Sequence, residues 1–553
     1  MKIVLTILFA GLLFFQGTSF SEEIKVLKDV VVTATKVPTQ ADQLGASVEV
    51  ISSEEIIKSG ARDLIDVLRK VAGISVVQSG SRGADTSLFI RGGESDHNLV
   101  MIDGVQVNQP GGGFSFGRLT TENIEKIEII KGSHSAIYGS DAIASVINII
   151  TKKGEGKRKL HLSGALGARE EDGNLIQEYS ASFSGSNDLY GYFLSYGRVD
   201  DEGILEVNND YTNNTFTATL NIDPNEDLNV ALSGIYQDSK FGLATEFAGD
   251  EFDILDPDQF QENDTLVLGA NVSYTSLDWW ENIVALGFTR EERDFEDEPN
   301  LDINPFDGSI STVEERRFTF DYRSNFFMDF NEISAVTTIG FEFENENVDD
   351  GLTDESRNNY AYYLQEQISF YNKFFITAGI RLDDNEEFGK ELSPRLSLSY
   401  LLRDHGTKLR AAVGRGIKEP TFFENFGGFG LTGNTNLDPE ESLSIEGGVD
   451  QKLFNELLEL NFTYFWNRFE NLIVFDFAGF SNGTNFENIN EVKTKGVEIG
   501  GTLNPGYGVL VAVNYTFLDS EVIDDGGLGS PGGQFFEGAD LIRRPEHTFN
   551  FIV

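Results

Sequence analysis

IEKIEIIKGSHSAIYGSDAIASVINIIT, residues 124–151, closes a region of the chain that is built unlike everything after it. Its opening run, Ile124 to Gly132, reads as a strand and a turn, as does LVMIDGVQV at 99–107. Upstream, Ala61 to Val71 (ARDLIDVLRKV) puts Leu64, Ile65, Val67, Leu68 and Val71 at helical spacing. Ser52-Ser53-Glu54-Glu55 reads as a helix start capped by Ser53. Residues 41–153 are therefore expected to form a small mixed α+β domain.

From about Lys157 the pattern changes for good. Strands of roughly ten residues alternate apolar and polar positions, the signature of a transmembrane β-barrel. Phe318 to Tyr322, Phe374 to Leu382, Leu396 to Leu402, Lys408 to Val413 and Leu458 to Trp466 are examples. Connections alternate in length. Phe330-Asn331-Glu332, Tyr371-Asn372-Lys373 and Arg403-Asp404-His405-Gly406 are tight, whereas 241–264, 291–314, 414–440 and 519–541 are long. Short turns on one side and long loops on the other describe an outer-membrane barrel, the long loops outside the cell. A soluble β-repeat protein fits less well, because no fixed period appears and aromatics cluster at strand ends.

Composition agrees. The chain has 553 residues, 57 of them glycine and 45 phenylalanine, and no cysteine, so disulfides and thiolate metal sites are excluded. Its 90 acidic and 42 basic residues give a formal net charge of -48, which argues against a nucleic-acid partner. Lys2 followed by the apolar run Ile3 to Phe15 and by Ser19-Phe20-Ser21 reads as a cleaved signal peptide, residues 1–21, with the mature chain starting near Glu22. That run is short of the ~20 residues a helical span needs, and no later stretch reaches that length, so any membrane crossing must be made by a barrel. Residues 22–40, charged and then β-branched, look like an extended segment awaiting an external partner.

Several of these stretches resemble the TonB-dependent receptor family. Asp29-Val30-Val31-Val32-Thr33-Ala34 resembles the TonB box. Ile90-Arg91-Gly92, Leu99 to Val105 and Ile124 to Thr151 resemble the middle and end of the plug domain. Lys418-Glu419-Pro420-Thr421-Phe422 and Gly433 to Glu440 resemble a barrel signature. The resemblance runs from residue 29 to about 548, and YGSDAIASVINIIT, GNTNLDPEESLSIEGG and Ile542-Arg543-Arg544-Pro545 point to the cobalamin receptors within it. It implies an N-terminal plug (41–153) in the lumen of an antiparallel barrel (154–553) of ~22 strands. Because the chain stops at Phe551-Ile552-Val553, in a strand-like run where family members continue, the barrel is expected to lack its last strands. It also implies a monomer in the outer membrane of a Gram-negative bacterium, contacting lipid. TonB would be the partner at residues 29–34, drawing on inner-membrane energy, and a corrinoid or siderophore the ligand.

The resemblance assigns residues as well. Ser87, Glu94, Gly112 and Gly113 would lie at substrate-facing plug tips; Glu94 departs from the amide expected there. Arg91 and Lys131 would face barrel carboxylates, with Glu440 and Glu446 as matching candidates. Lys131 keeps the charge of the family's arginine but loses its bidentate fork. Asp200, Asp201, Asn208, Asp210 and Asp238 offer only oxygen donors, which suits Ca²⁺, and cobalamin receptors order such loops with calcium. Solvated loop acids are an equal reading. No other cofactor is called for.

No catalytic set stands out: His97, His134, His161, His405 and His547 are scattered, without a nucleophile at recognisable spacing. An enzyme is not expected. A passive porin needs no plug, and a signalling receptor needs a domain that residues 22–28 leave no room for. Between corrinoid and ferric siderophore, the loop 241–264 favours the first. It carries Glu246, Asp250, Glu251, Asp253, Asp256, Asp258, Glu262 and Asp264 with no Lys or Arg, a field that repels anionic siderophore complexes.

Overall fold

In Gly389–Leu402, the positions Leu392, Leu396, Tyr400 and Leu402 face outward and are exposed, while Ser393, Ser397 and Ser399 between them face inward and are buried. A strand with period two puts one row against lipid and the other into a polar lumen. Among the described residues, the computed structural model assembles eighteen strands in this way. It describes residues 30–169, 173–205, 207–245, 255–299, 308–428, 430–476, 479–480, 483–506, 509–524 and 536–553, with side chains except at 489–490. The proposed signal peptide, residues 22–28, Asp29, and the loop acids Glu246, Asp250, Glu251 and Asp253 lie outside the described residues.

The eighteen strands form one sheet in chain order, Lys159–Ala168 at one edge and His547–Ile552 at the other, every neighbouring pair antiparallel. The family resemblance implied 22 strands for a full barrel. No pairing joins the two edge strands among the described residues. No described helix is long and apolar enough to cross a membrane. Tight turns hold backbone in the left-handed region at Asn331, Tyr371, Asn372 and Gly406, where a two- to four-residue reversal requires it. The strands outrun the expected loops: Leu228–Gly242, Trp280–Asp297, Ser309–Phe330 and Phe260–Leu277 all extend into stretches read as connections. Those extensions are polar, so hydropathy alone hides them, yet their ladders continue in register.

Inside sits the α+β plug. Its five-stranded sheet runs in the order Val48–Ser52, Ile124–Lys131, Ser145–Thr151, Asn98–Ile102, Val105–Gln106, and the pair Asn98–Ile102 with Ser145–Thr151 is parallel. A hairpin, Ile74–Gln78 with Thr86–Ile90, lies beside it. Leu64, Leu68, Ile90, Val100, Ile127 and Ile147 are among the residues of its core. Two helix details differ from expectation. Ser52, not Ser53, is the cap: the Glu55 N–H donates to its Oγ, while the Glu55 carboxylate accepts from the Ser52 N–H at 2.9 Å, a reciprocal box that starts the helix at Ser53. The second helix is only Leu64–Leu68, because Asp63 bridges to Thr120 as extended chain and the turn tightens after Leu68. The plug fits closely against the wall. A Cβ on Gly45 would stand 2.4 Å from the Leu398 backbone nitrogen, and Ser399 Oγ donates to the Asp42 carbonyl at 2.9 Å.

Candidate functional site

At the long-loop end, the plug tips and the barrel wall enclose a recess of about 510 Å³. From the plug come Glu94, Asp96, Gln109, Gly112 and Gly113. Gly111 (φ 65°) turns the second tip so tightly against the wall that a Cβ there would meet the Pro420 carbonyl oxygen at 2.6 Å. Of the four predicted ligand-facing residues, Glu94, Gly112 and Gly113 line the recess. Ser87 does not: it sits in the hairpin opposite Val77, below the tip.

The first tip is anchored through His97. The Glu94 N–H donates to its Nδ1 at 3.0 Å, so Nε2 carries the ring proton and donates to Glu440 Oε2 at 2.7 Å. Burial works to lower the His97 pKa, but the bond to Glu440 and the charges of Glu440, Asp96 and Glu94 raise it above the ordinary histidine value. Asp96 lies 3.1 Å from the buried Lys418 Nζ; burial opposes its charge, yet Lys418 holds its carboxyl below the usual range. Glu94 itself lies 2.5 Å from Arg544 Nη2, and the Arg544 guanidinium stacks over Phe89.

Below the recess, the plug is locked to the wall. Arg91 grips Glu498 with two bonds of 2.9 Å and Glu446 with one of 2.5 Å, all three side chains being almost fully buried. Its φ of 50° turns its carbonyl toward Thr494 Oγ1, which donates at 2.8 Å. Lys131 joins the same cluster, 3.2 Å from Glu498. Glu440, paired with His97 and the Ile473 N–H, takes no part in it. The pairing thus differs from expectation in one partner: Glu498 takes the place of Glu440.

The sequence led us to expect a free extended segment at 30–35, but at the short-turn end this segment is held down. Val30–Val31 forms a miniature hairpin with Thr39–Gln40. Glu128, fully buried, accepts from the Val32 and Thr33 N–H groups at 3.1 and 3.0 Å and from the Thr33 hydroxyl. Lys36 ends the segment against Asp321 and Glu342 of the wall, each at 3.0 Å. Val31, Thr33 and Ala34 are consequently buried.

The predicted calcium residues do not converge. Asp200 pairs with Arg198, Asp201 with Arg169, and Asn208 donates to the Leu243 and Gln259 carbonyls; Asp210 and Asp238 are exposed. The carboxylate groups that do converge among the described residues are Asp256, Asp258 and Asp297 in the loops, and Glu344, Glu346 and Glu419 in the wall. The latter three meet Arg317 and Arg357.

Comparison with known proteins fixes the family. Residues 40–146 match the TonB-dependent Receptor Plug Domain, and residues 164–553 match the family described as TonB dependent receptor-like, beta-barrel. The chain belongs to the TonB-dependent receptor family. Its relatives include the Vitamin B12 transporter BtuB of Vibrio vulnificus (strain CMCP6), 29% identical over 91% of this chain and 80% of the relative. The Vitamin B12 transporter BtuB of Photobacterium profundum is 26% identical over 89% of this chain and 78% of the relative. Among solved structures, the ferric citrate transporter FecA in its unliganded form superposes with a TM-score of 0.75 at 15% identity, covering 92% of this chain and 82% of that one. The siderophore receptor PirA from Acinetobacter baumannii superposes at 0.72, with 20% identity and coverage of 87% and 80%. At those identities the structures speak for the fold alone. A TonB-dependent receptor is an outer-membrane transport protein and not an enzyme. The sequence of this receptor did not single out Asp96 or the pairing roles of Glu128, Lys418 and Glu498, although Lys418 opens the barrel signature, Glu128 lies within the plug motif 124–151, and Glu498 is in phase with the inward-facing Thr494 on one strand.

Proposed function

We propose that this receptor takes up a scarce, bulky corrinoid and is energised through residues 29–34 by TonB. The recess carries the reading. It lies at the long-loop end, between plug tips and wall, at the opposite end of the molecule from the segment where a pulling partner would act. Among the described residues, six carboxylates line it against one guanidinium, Arg293. Such a field disfavours the anionic ferric chelates of a siderophore receptor and accepts a neutral or cationic metal complex. The BtuB relatives, matched over most of their length, support the corrinoid class. The siderophore reading rests on fold likeness and is the weaker one. A plug that fills the lumen with buried ion pairs disfavours a passive porin.

Growth tests this directly. With a corrinoid as the limiting nutrient, deleting the gene is expected to abolish growth at low corrinoid but not at high corrinoid. Unchanged growth at low corrinoid would remove the proposal.

A further inference from the structure

The charge of the recess goes further than excluding anions. Its lining carboxylates are Glu94, Asp96, Glu315, Asp350, Glu424 and Glu440. The cations near them approach from behind rather than from the cavity. Lys418 is fully buried beneath Asp96 and Glu424, and Arg544 is buried behind Glu94 on the Phe89 ring; the His97 imidazole behind Glu440 accepts at Nδ1 and is neutral in this arrangement. Among the described residues, Arg293 is the one cation that lines the cavity, and it is engaged by Glu315 at 3.0 Å. Glu315 Oε2 nevertheless has no hydrogen-bond partner among the described residues. Asp350 uses one oxygen on the N–H groups of Leu352 and Thr353 and is not ion-paired among the described residues. Partly desolvated carboxylates held by rigid elements interact with a ligand charge more strongly than the same groups in open water.

We infer that the recess selects its ligand by positive charge, so that a cationic corrinoid is bound more tightly than a neutral one. This rests on the corrinoid reading above. The oxidised cobalt–corrin core is cationic; the phosphodiester of the nucleotide loop and an axial cyanide neutralise it. A corrinoid that lacks the nucleotide, or that carries water in place of cyanide, keeps a net positive charge. Aquocobalamin and cyanocobalamin share one skeleton and differ in this respect, which makes them a matched pair.

Binding of aquocobalamin, cyanocobalamin and an anionic ferric tris-catecholate to the purified receptor in detergent, across a salt series, tests the inference. Aquocobalamin is expected to bind at least several-fold tighter than cyanocobalamin at low salt, and high salt should erase the difference. Asp350→Asn, which keeps the loop-capping oxygen, should weaken aquocobalamin by roughly five-fold and cyanocobalamin by less. The salt series on the unaltered receptor needs no variant to fold. Imidazole added to block the axial site of aquocobalamin without removing its charge should preserve the preference; loss of the preference would mean that cobalt ligation by a side chain, not charge, is responsible, and would overturn the inference. Equal, salt-independent binding of the two cobalamins would overturn it too, while leaving the corrinoid reading intact. Binding of the ferric catecholate with no corrinoid binding would overturn both.

Discussion

Arg91 ties the plug to the barrel by holding two buried carboxylates from different strands at once. Removing one member of a buried ion cluster leaves the others charged and unpaired, which costs about 3–5 kcal/mol. Arg91→Met is therefore expected to lower the urea midpoint for plug unfolding, read by tryptic cleavage of the plug in the detergent-solubilised receptor. Restoration by the double change with Glu498→Gln would show that the unpaired charge is the cause. Arg91 and Glu446 were legible as charged residues inside motifs, whereas Glu498 sits in a strand with no motif and only the fold brings it within reach. Asp141 makes a second test. It is fully buried; burial pushes its carboxyl up, Arg317 pulls it back, and Glu346 helps to leave it at about 6. A carboxyl with a folded value above its unfolded one favours folding most when protonated. That contribution is complete below the unfolded value near ~4 and is lost as pH rises through about 6. Asp141→Asn should flatten stability between those limits and stabilise the receptor at pH 8 by on the order of 2 kcal/mol. An unchanged pH profile of urea unfolding would contradict this.

At the scale of elements, the segment 30–35 is packed down against the plug and would serve as a latch under the proposed function. Its own sequence, apolar and β-branched, announced a strand seeking a partner; that the partner was Thr39–Gln40 and the buried Glu128 depends on packing 95 residues away in the chain. Because the chain has no cysteine, a single cysteine at Val32 can carry a spin label without background. Glu128→Ala removes the acceptor of two backbone N–H groups and should convert the label's spectrum from restricted to mobile, with the barrel unaffected. Val31→Pro deletes a ladder N–H. It is expected to abolish energised uptake while corrinoid still binds at the surface, measured by binding at low temperature against accumulation at high temperature. The plug's strands were readable for the same reason that the barrel's ends were not. A buried strand is apolar throughout, but strands that rise beyond the membrane turn polar and look like loops.

Over the whole molecule, two sites lie at opposite ends of one lumen, and the buried ion pairs of the plug lie between them. The ligand recess faces the long loops, and the latch faces the short turns. Fold class and family were open to sequence because plug motifs are local and barrel strands repeat. The recess was less so: Glu94, Gly112 and Gly113 were found by resemblance, while Asp96, Asp350 and Lys418 come from three separate segments that only the closed structure juxtaposes. Under the proposed function, the receptor binds its ligand without energy and moves it only with energy. Accumulation of labelled cyanocobalamin by cells that express this chain as their sole corrinoid receptor is the most direct measurement. Surface binding is expected with or without the proton gradient, and accumulation only when both the gradient and TonB are present. Accumulation that survives collapse of the gradient, or the absence of any corrinoid binding, would contradict this.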